Sequence, residues 1–550
     1  MLRNVLEDYF SVVKERDFYY PFRALLHGMG FYDIHITDGG SEFGKDFIAK
    51  KVEEGTVYQY VIQAKRGDIN QPDFRNKIMG QILEAVIVRN LCHPQLDVTI
   101  PQRTVLMTTG ELVDNAFIVL NECNTTLVRT YGKHPIEFWG KNKLIEFATE
   151  FGLSGLHMTT AKGAAELGQF YSTYSKAIEG TLTDREIENY SRYWLSNNLE
   201  GTKKILRAAL EADIIAAKLI EKKRFYEAIS SYLALARTIM QVSYSGGSDD
   251  TRRIYSEVVQ DEILPLCDTF YKDFKADWKE YEYSLVDLVM CSPFPMVNYL
   301  VWCARVLEIV GLHYFLTEDL PKRTELADFL IEFAENEQGC GHIPGDRYAV
   351  AIVWSTLALL HSNRPAAVVS LLKKSAVWLC NRTEDHFGLP SYEANETQET
   401  ELLIGFPFAS TEVDRNRSSF LATILIDVAA HAQFRELYQD MIHDFWVCEI
   451  AYSYWQFPDS EALFSIDTED CIVYPNIPHQ SRLVDEDEMI YAEHIRHEPA
   501  SFRITESLDF TTLPIISVLL KDRYFPKTWP ALISDRRARR TSNSSNEILN

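Results

Sequence analysis

Apolar residues at helical spacing open the chain: Leu6, Phe10 and Val13, then Phe22, Leu25 and Leu26. They predict helix over residues 2–28 with a break near Pro21, ended by Gly28 and Gly30. The period then falls to two. Phe31–Thr37 alternates as a first strand, Asp38-Gly39-Gly40-Ser41 is a turn, and Phe47–Lys51 with Val57–Ala64 predicts a hairpin around Glu53-Glu54-Gly55. A helix is expected at about 72–90, a strand at Thr104–Thr108 and a helix from Val113 to about Asn121. A short strand near Thr126–Arg129 and a helix at 140–151 close the unit. The order α-β-β-β-α-β-α-β-α predicts one α/β domain, a sheet flanked by helices, over residues 1–155.

From about residue 160 the period is almost wholly helical. Leu206–Leu219 and Phe225–Val242 predict a helical hairpin, and further pairs are expected at about 297–335, 347–380 and 417–454. One motif echoes. A helix running to Gly341-His342-Ile343-Pro344 has a counterpart, about 46 residues on, running to Gly388-Leu389-Pro390. The pattern suggests stacked αα-hairpins, as a solenoid or an αα-toroid. The expected plan is therefore the α/β domain, a helical region at 160–290, a helical-hairpin sensor or scaffold at 291–533, and a disordered tail at 534–550.

Charge changes the picture. The net charge is −24, hostile to nucleic acid as a total. Residues 1–155 hold 17 Lys+Arg and 20 Asp+Glu, whereas the rest holds 38 and 59. The acidity sits in the helical part, so the N-terminal domain is the one able to present a basic face. Nine Cys without a Cys-x-x-Cys pair fit reduced thiols, and an acidic N-terminus with no long uncharged apolar run fits a cytoplasmic protein without membrane association. The three Gly-Lys pairs lack a following Ser or Thr, so no phosphate-binding loop of a motor is present.

The candidate chemistry lies in Asp46 and in Gln63-Ala64-Lys65. On adjacent antiparallel strands Asp46 and Gln63 can approach, and Lys65, two residues on, shares the face of Gln63. A carboxylate, an amide oxygen and an ammonium are what magnesium-assisted phosphodiester hydrolysis needs. Lys45 and Arg66 flank them as possible phosphate contacts, and Gln81 on the next helix is a possible supporting residue.

Five ordered blocks now carry a resemblance: Leu25–Phe31, Gly39–Asp46, Ile62–Arg66, Val105–Gly110 with the helix carrying Ala116, and Ile136–Leu144. Segment 20–152 resembles the Mrr-like branch of the PD-(D/E)xK restriction-endonuclease superfamily. The resemblance implies a restriction-endonuclease-like fold with a mixed sheet, Ile136–Leu144 being its closing strand and helix. It makes Asp46 the principal metal ligand, Gln63 the second ligand position in amide form, the Ala64 backbone carbonyl a third, and Lys65 the catalytic lysine. It implies Mg²⁺ as cofactor, with Mn²⁺ able to substitute, DNA as substrate, and a prokaryotic restriction or anti-phage defence role. Double-strand cleavage by a one-site fold further implies a homodimer or higher oligomer. A partner protein or activating ligand is expected to act through the acidic helical region.

One position departs from the pattern. Relatives carry a Glu in the first helix where this chain has Tyr19, leaving Glu15, one turn earlier, or Glu42 to compensate. The alternative reading is accordingly a nuclease fold with weak or no catalysis that binds DNA or a partner.

Overall fold

The computed structural model describes residues 2–37, 45–87, 96–97, 99–152, 163–196, 201–244, 249–290, 292, 294–385, 387–390, 394, 396–405, 418–452, 455–456 and 472–473. The 38–41 turn, Glu42 and the tail from 534 lie outside these residues. The chain divides into two compact units. One takes in residues 1–182, 189–218 and 238–254; the other takes in 183–188, 219–237 and the chain from 255 on.

The first unit opens with α1 (Leu2–Val12) and α2 (Glu15–Gly28). The break falls at Val13-Lys14, while Pro21 stays inside α2. Phe18, Phe22, Leu25 and Leu26 are all buried along α2. That packing outweighs the one backbone hydrogen bond a proline removes.

Five strands follow: β1 (Tyr32–Ile36), β2 (Phe47–Glu53), β3 (Thr56–Lys65), β4 (Gln102–Thr108) and β5 (Glu137–Trp139). They form one mixed sheet in that spatial order, antiparallel from β1 to β3 and parallel from β3 to β5. Glu54 and Gly55 both have positive φ, 49° and 79°, giving the two-residue turn whose twist matches a hairpin. That turn sets the register, from Glu53 opposite Thr56 to Phe47 opposite Ile62.

The parallel pair β3–β4 requires a crossover. It is made by α3 (Gln71–Asp73), a π-turn at Phe74–Ile78 and α4 (Met79–Ile87). The Asn70 side chain starts it by accepting a hydrogen bond from the Asp73 amide at 2.8 Å. After β4 come α5 (Ala116–Tyr131), then β5 and α6 (Lys141–Phe147).

The strand expected at Thr126–Arg129 is therefore helix, and the closing strand lies at Glu137–Trp139. Two β-branched residues suggested the strand, but Thr125 and Thr126 turn their hydroxyls back onto the carbonyls of Asn121 and Glu122. Leu127 meanwhile continues the buried stripe of Ala116, Val119 and Leu120. Gly132, at φ 58°, ends the helix.

On one face of the sheet, Phe74, Ile78, Ile82 and Val86 pack with Leu106 and the buried stripe of α5. On the other, Phe22 of α2 meets Phe47 and Trp139, with ring centroids 5.1 and 6.4 Å apart. Strand alternation then sorts β3. Tyr60, Ile62 and Ala64 take the α2 face, and Val61, Gln63 and Lys65 the α4 face.

The ends of β3 and β4 are clasped together. The Thr108 hydroxyl donates to the Gly67 carbonyl at 2.6 Å, and the Gly67 amide donates to the Thr109 hydroxyl at 3.1 Å. Thr108 is the last residue of β4, and with Thr109 it holds the turn after β3; α5 starts only at Ala116. Gly110 crosses this turn so closely that a Cβ there would lie 2.2 Å from the Gly67 carbonyl carbon.

The described remainder is almost wholly helical. In the first unit the buried Glu211 carboxylate accepts from Tyr190 (2.6 Å), Trp194 (2.7 Å) and Arg207 (2.9 Å). The second unit pairs Pro295–Leu316 with Leu320–Asn336, Val350–His361 with Pro365–Glu384, and Phe420–His431 with Arg435–Val447. Three of its helix ends share one turn. Lys223, Asn363 and Gln433 are left-handed (φ 57°, 63° and 63°), and the next amide donates to the carbonyl of Leu219, Leu359 or Ala429. The two Gly-apolar-Pro segments also meet, the Asp346 amide donating to the Pro390 carbonyl at 3.1 Å. Helix Pro295–Leu316 is long and apolar enough to cross a membrane by length and composition alone, but it is mostly buried within its unit. Trp446 lies at the surface.

Candidate active site

Asp46 stands one residue before β2, and its amide donates to the Ile62 carbonyl at 2.9 Å. Phe47 is the last β2 residue in register, opposite the same Ile62, so the ladder ends at a bend at Asp46. The Asp46 carboxylate accepts the Ala64 amide hydrogen at 2.6 Å, a charge-assisted bond that fixes its position. Because N–H and C=O of one residue point to the same neighbour in an antiparallel ladder, the Ala64 carbonyl is directed to the side of Asp46.

Gln63 is 2% exposed on a central strand buried on both faces. Its amide nitrogen donates to the Gln81 side-chain oxygen of α4 at 2.6 Å. Its own Oε1 is buried and has no hydrogen-bond partner among the described residues. Gln59, four residues back on the same face and equally buried, differs: its oxygen accepts the Asp97 amide at 2.9 Å. A buried carbonyl oxygen without a donor costs about 1–3 kcal/mol, and it suits a site that receives a cation.

Lys65 is half-buried and enters no ion pair among the described residues. Its backbone is held by the Thr109 amide, which donates to the Lys65 carbonyl at 3.2 Å. Of the flanking cations, Arg66 is exposed and Lys45 is 2% exposed. Burial pushes the Lys45 amine below the ordinary lysine range, against the pull of nearby Glu84.

Tyr19 packs its ring edge-on against Phe47, with centroids 5.1 Å apart, and is 7% exposed. It therefore fills core space on the α2 face. Glu15 is the first residue of α2, but its side chain lies outside the described residues, as does all of Glu42. Among the described residues no group of three or more His, Cys, Asp or Glu is disposed to hold a metal ion. The donors at hand are one carboxylate, one amide oxygen and one backbone carbonyl, an oxygen set that fits a hard divalent cation. Sequence spacing brought out Asp46, Gln63 and Lys65, and Gln81, expected as a supporting residue, bonds to Gln63 from 18 residues away.

Residues 11–146 match the protein-family model described as Restriction endonuclease, the Mrr-type catalytic domain. The N-terminal domain is a restriction-endonuclease domain of the PD-(D/E)xK superfamily, and its family points to a DNA endonuclease. The C-terminal region matches no family model. No curated protein and no solved structure matches the chain.

Proposed function

We propose that the N-terminal domain cleaves DNA with a divalent cation, Mg²⁺ or Mn²⁺, held by the Asp46 carboxylate, the Gln63 amide oxygen and the Ala64 carbonyl. The observation that carries this reading is the buried, unpartnered Oε1 of Gln63, next to the Ala64 amide that holds the Asp46 carboxylate. When bound, the cation polarises the scissile phosphate and lowers the pKa of the attacking water. Asp46 supplies the only formal negative charge of the three donors, so the substrate phosphate completes charge neutralisation. Lys65, on the same face as Gln63, offers an ammonium to the developing charge on the phosphate. Arg66, exposed beside it, holds the DNA backbone.

The acidic helical region governs when cutting occurs, by sensing a ligand, docking a partner or assembling copies of the chain. The setting proposed is prokaryotic restriction or anti-phage defence, in the cytoplasm. One observation favours a conditional enzyme over a constitutive one: the position of the family's first-helix carboxylate is taken by Tyr19, which is committed to packing on Phe47.

The test is incubation of the full chain with plasmid in Mg²⁺, Mn²⁺ or EDTA, beside Asp46→Asn and Lys65→Met. Cleavage in either metal that EDTA and both substitutions abolish is expected. Cleavage that persists in both variants would overturn the catalytic assignment.

A further inference from the structure

A carboxylate presents an oxygen to a cation whichever way it turns. An amide presents oxygen on one side and two N–H donors on the other, so a glutamine works as a ligand in only one of its two flips. Something must choose the flip. Resting on the metal-site reading above, we infer that Gln81 is a positioning residue that turns the oxygen of Gln63 toward the cation by accepting its N–H.

Three observations carry this. The Gln63 Nε2 donates to the Gln81 Oε1 at 2.6 Å, which sends the Gln63 oxygen the other way. That oxygen is the buried atom left without a donor. Gln59, on the same face of β3, has its oxygen occupied by a backbone amide, so the unpaired oxygen is particular to Gln63. Gln81 itself is exposed on α4 and buries nothing of its own. Its phase on the helix is set by the Asn70 cap and the π-turn Phe74–Ile78, which inserts one residue into the winding between the cap and Gln81. Residues behind a ligand that fix its orientation change metal affinity about 10–100-fold when removed.

The experiment measures Mn²⁺ binding to the full chain by the loss of the free-ion electron paramagnetic resonance signal, without DNA. Asp46→Ala identifies the site-bound ion. Gln81→Ala is expected to weaken that binding about tenfold or more with an unchanged melting temperature. Gln63→Glu should restore tight binding, because a carboxylate needs no flip, and adding Gln81→Ala to it should then cost little. A loss of equal size in both backgrounds would reduce Gln81 to a general structural role and overturn the proposal. Wild-type binding by Gln81→Ala would overturn it alone, leaving the metal site standing. If the wild type and Asp46→Ala bind alike, the metal reading falls and this proposal with it.

Discussion

The carboxylate of Asp46 accepts the backbone hydrogen of Ala64 at 2.6 Å, which ties the residue opening β2 to the strand that carries Gln63 and Lys65. One side chain thus serves both geometry and charge, and two substitutions separate the roles. Asp46→Asn keeps an oxygen for the Ala64 amide but loses the charge. It should cut DNA cleavage at least about 100-fold while the melting temperature hardly moves. Asp46→Ala strands the buried amide as well and should cost about 1–3 kcal/mol of stability. Calorimetry beside plasmid cleavage checks both, and an Asn variant as active as wild type would remove Asp46 from the ligand set.

Lys65 has no ion pair among the described residues, so its removal orphans no partner. Lys65→Met should leave stability within about 0.5 kcal/mol and lower the cleavage rate about 100–1,000-fold. A cleavage loss matched by an equal loss of folded protein would assign Lys65 to structure.

Gly110 passes the Gly67–Asp68 backbone with no room for a methyl group. Gly110→Ala must push apart the turns that follow β3 and β4, at a cost of about 1–3 kcal/mol. Because the displaced turn begins just after Lys65, the folded fraction should also cleave more slowly than wild type. Urea melts and rates normalised to folded protein test the two parts.

In the helical region His313 is 2% exposed, and burial pushes its pKa down to about 4 although Asp268 lies 3.9 Å from its Nε2. Lys322 and Lys272 also disfavour its charged form, and Glu325 opposes them. The unfolded chain therefore takes up this proton first as pH falls below the ordinary histidine value. The stability linked to neutral His313 is present above that value and is lost as pH falls through about 4. Against wild type, the melting temperature of His313→Gln should rise as pH drops from neutral toward 4. A constant difference would contradict this.

Asp346 tilts the other way. Its carboxylate accepts from the Ser419 hydroxyl at 2.8 Å and the Leu421 amide at 3.1 Å, yet burial holds its pKa up at about 6. Its contribution is present below the ordinary aspartate value and is lost as pH rises through about 6. Asp346→Asn should therefore gain on wild type as pH rises from 4 to 7, the opposite slope to His313→Gln.

Legibility followed the range of the interactions involved. Glu54-Gly55 announced its hairpin because the turn is decided by two residues, and the hairpin then brought Asp46 to the end of β3 that carries Gln63 and Ala64. Thr126–Arg129 misled because β-branched side chains favour strands on average, whereas here Leu127 extends a buried helical stripe whose other members lie up to eleven residues away. Pro21 misled in the same way, its local cost being outweighed by the aromatic core around Phe18 and Phe22. Gln81 was named from sequence as a supporting residue, but its particular bond to Gln63 was not legible, because it depends on how a crossover helix is phased, which a π-turn alters without a sequence mark.

β3 has neighbours on both edges and side chains covered on both faces. A strand so placed cannot fray alone; it comes apart only when its sheet does. Whatever regulates this protein must therefore work by granting or blocking access to the strand, or by moving side chains such as Lys65 beside it. Local melting of β3 is not open to it, so Gln63 and Ala64 keep their places as long as the sheet does.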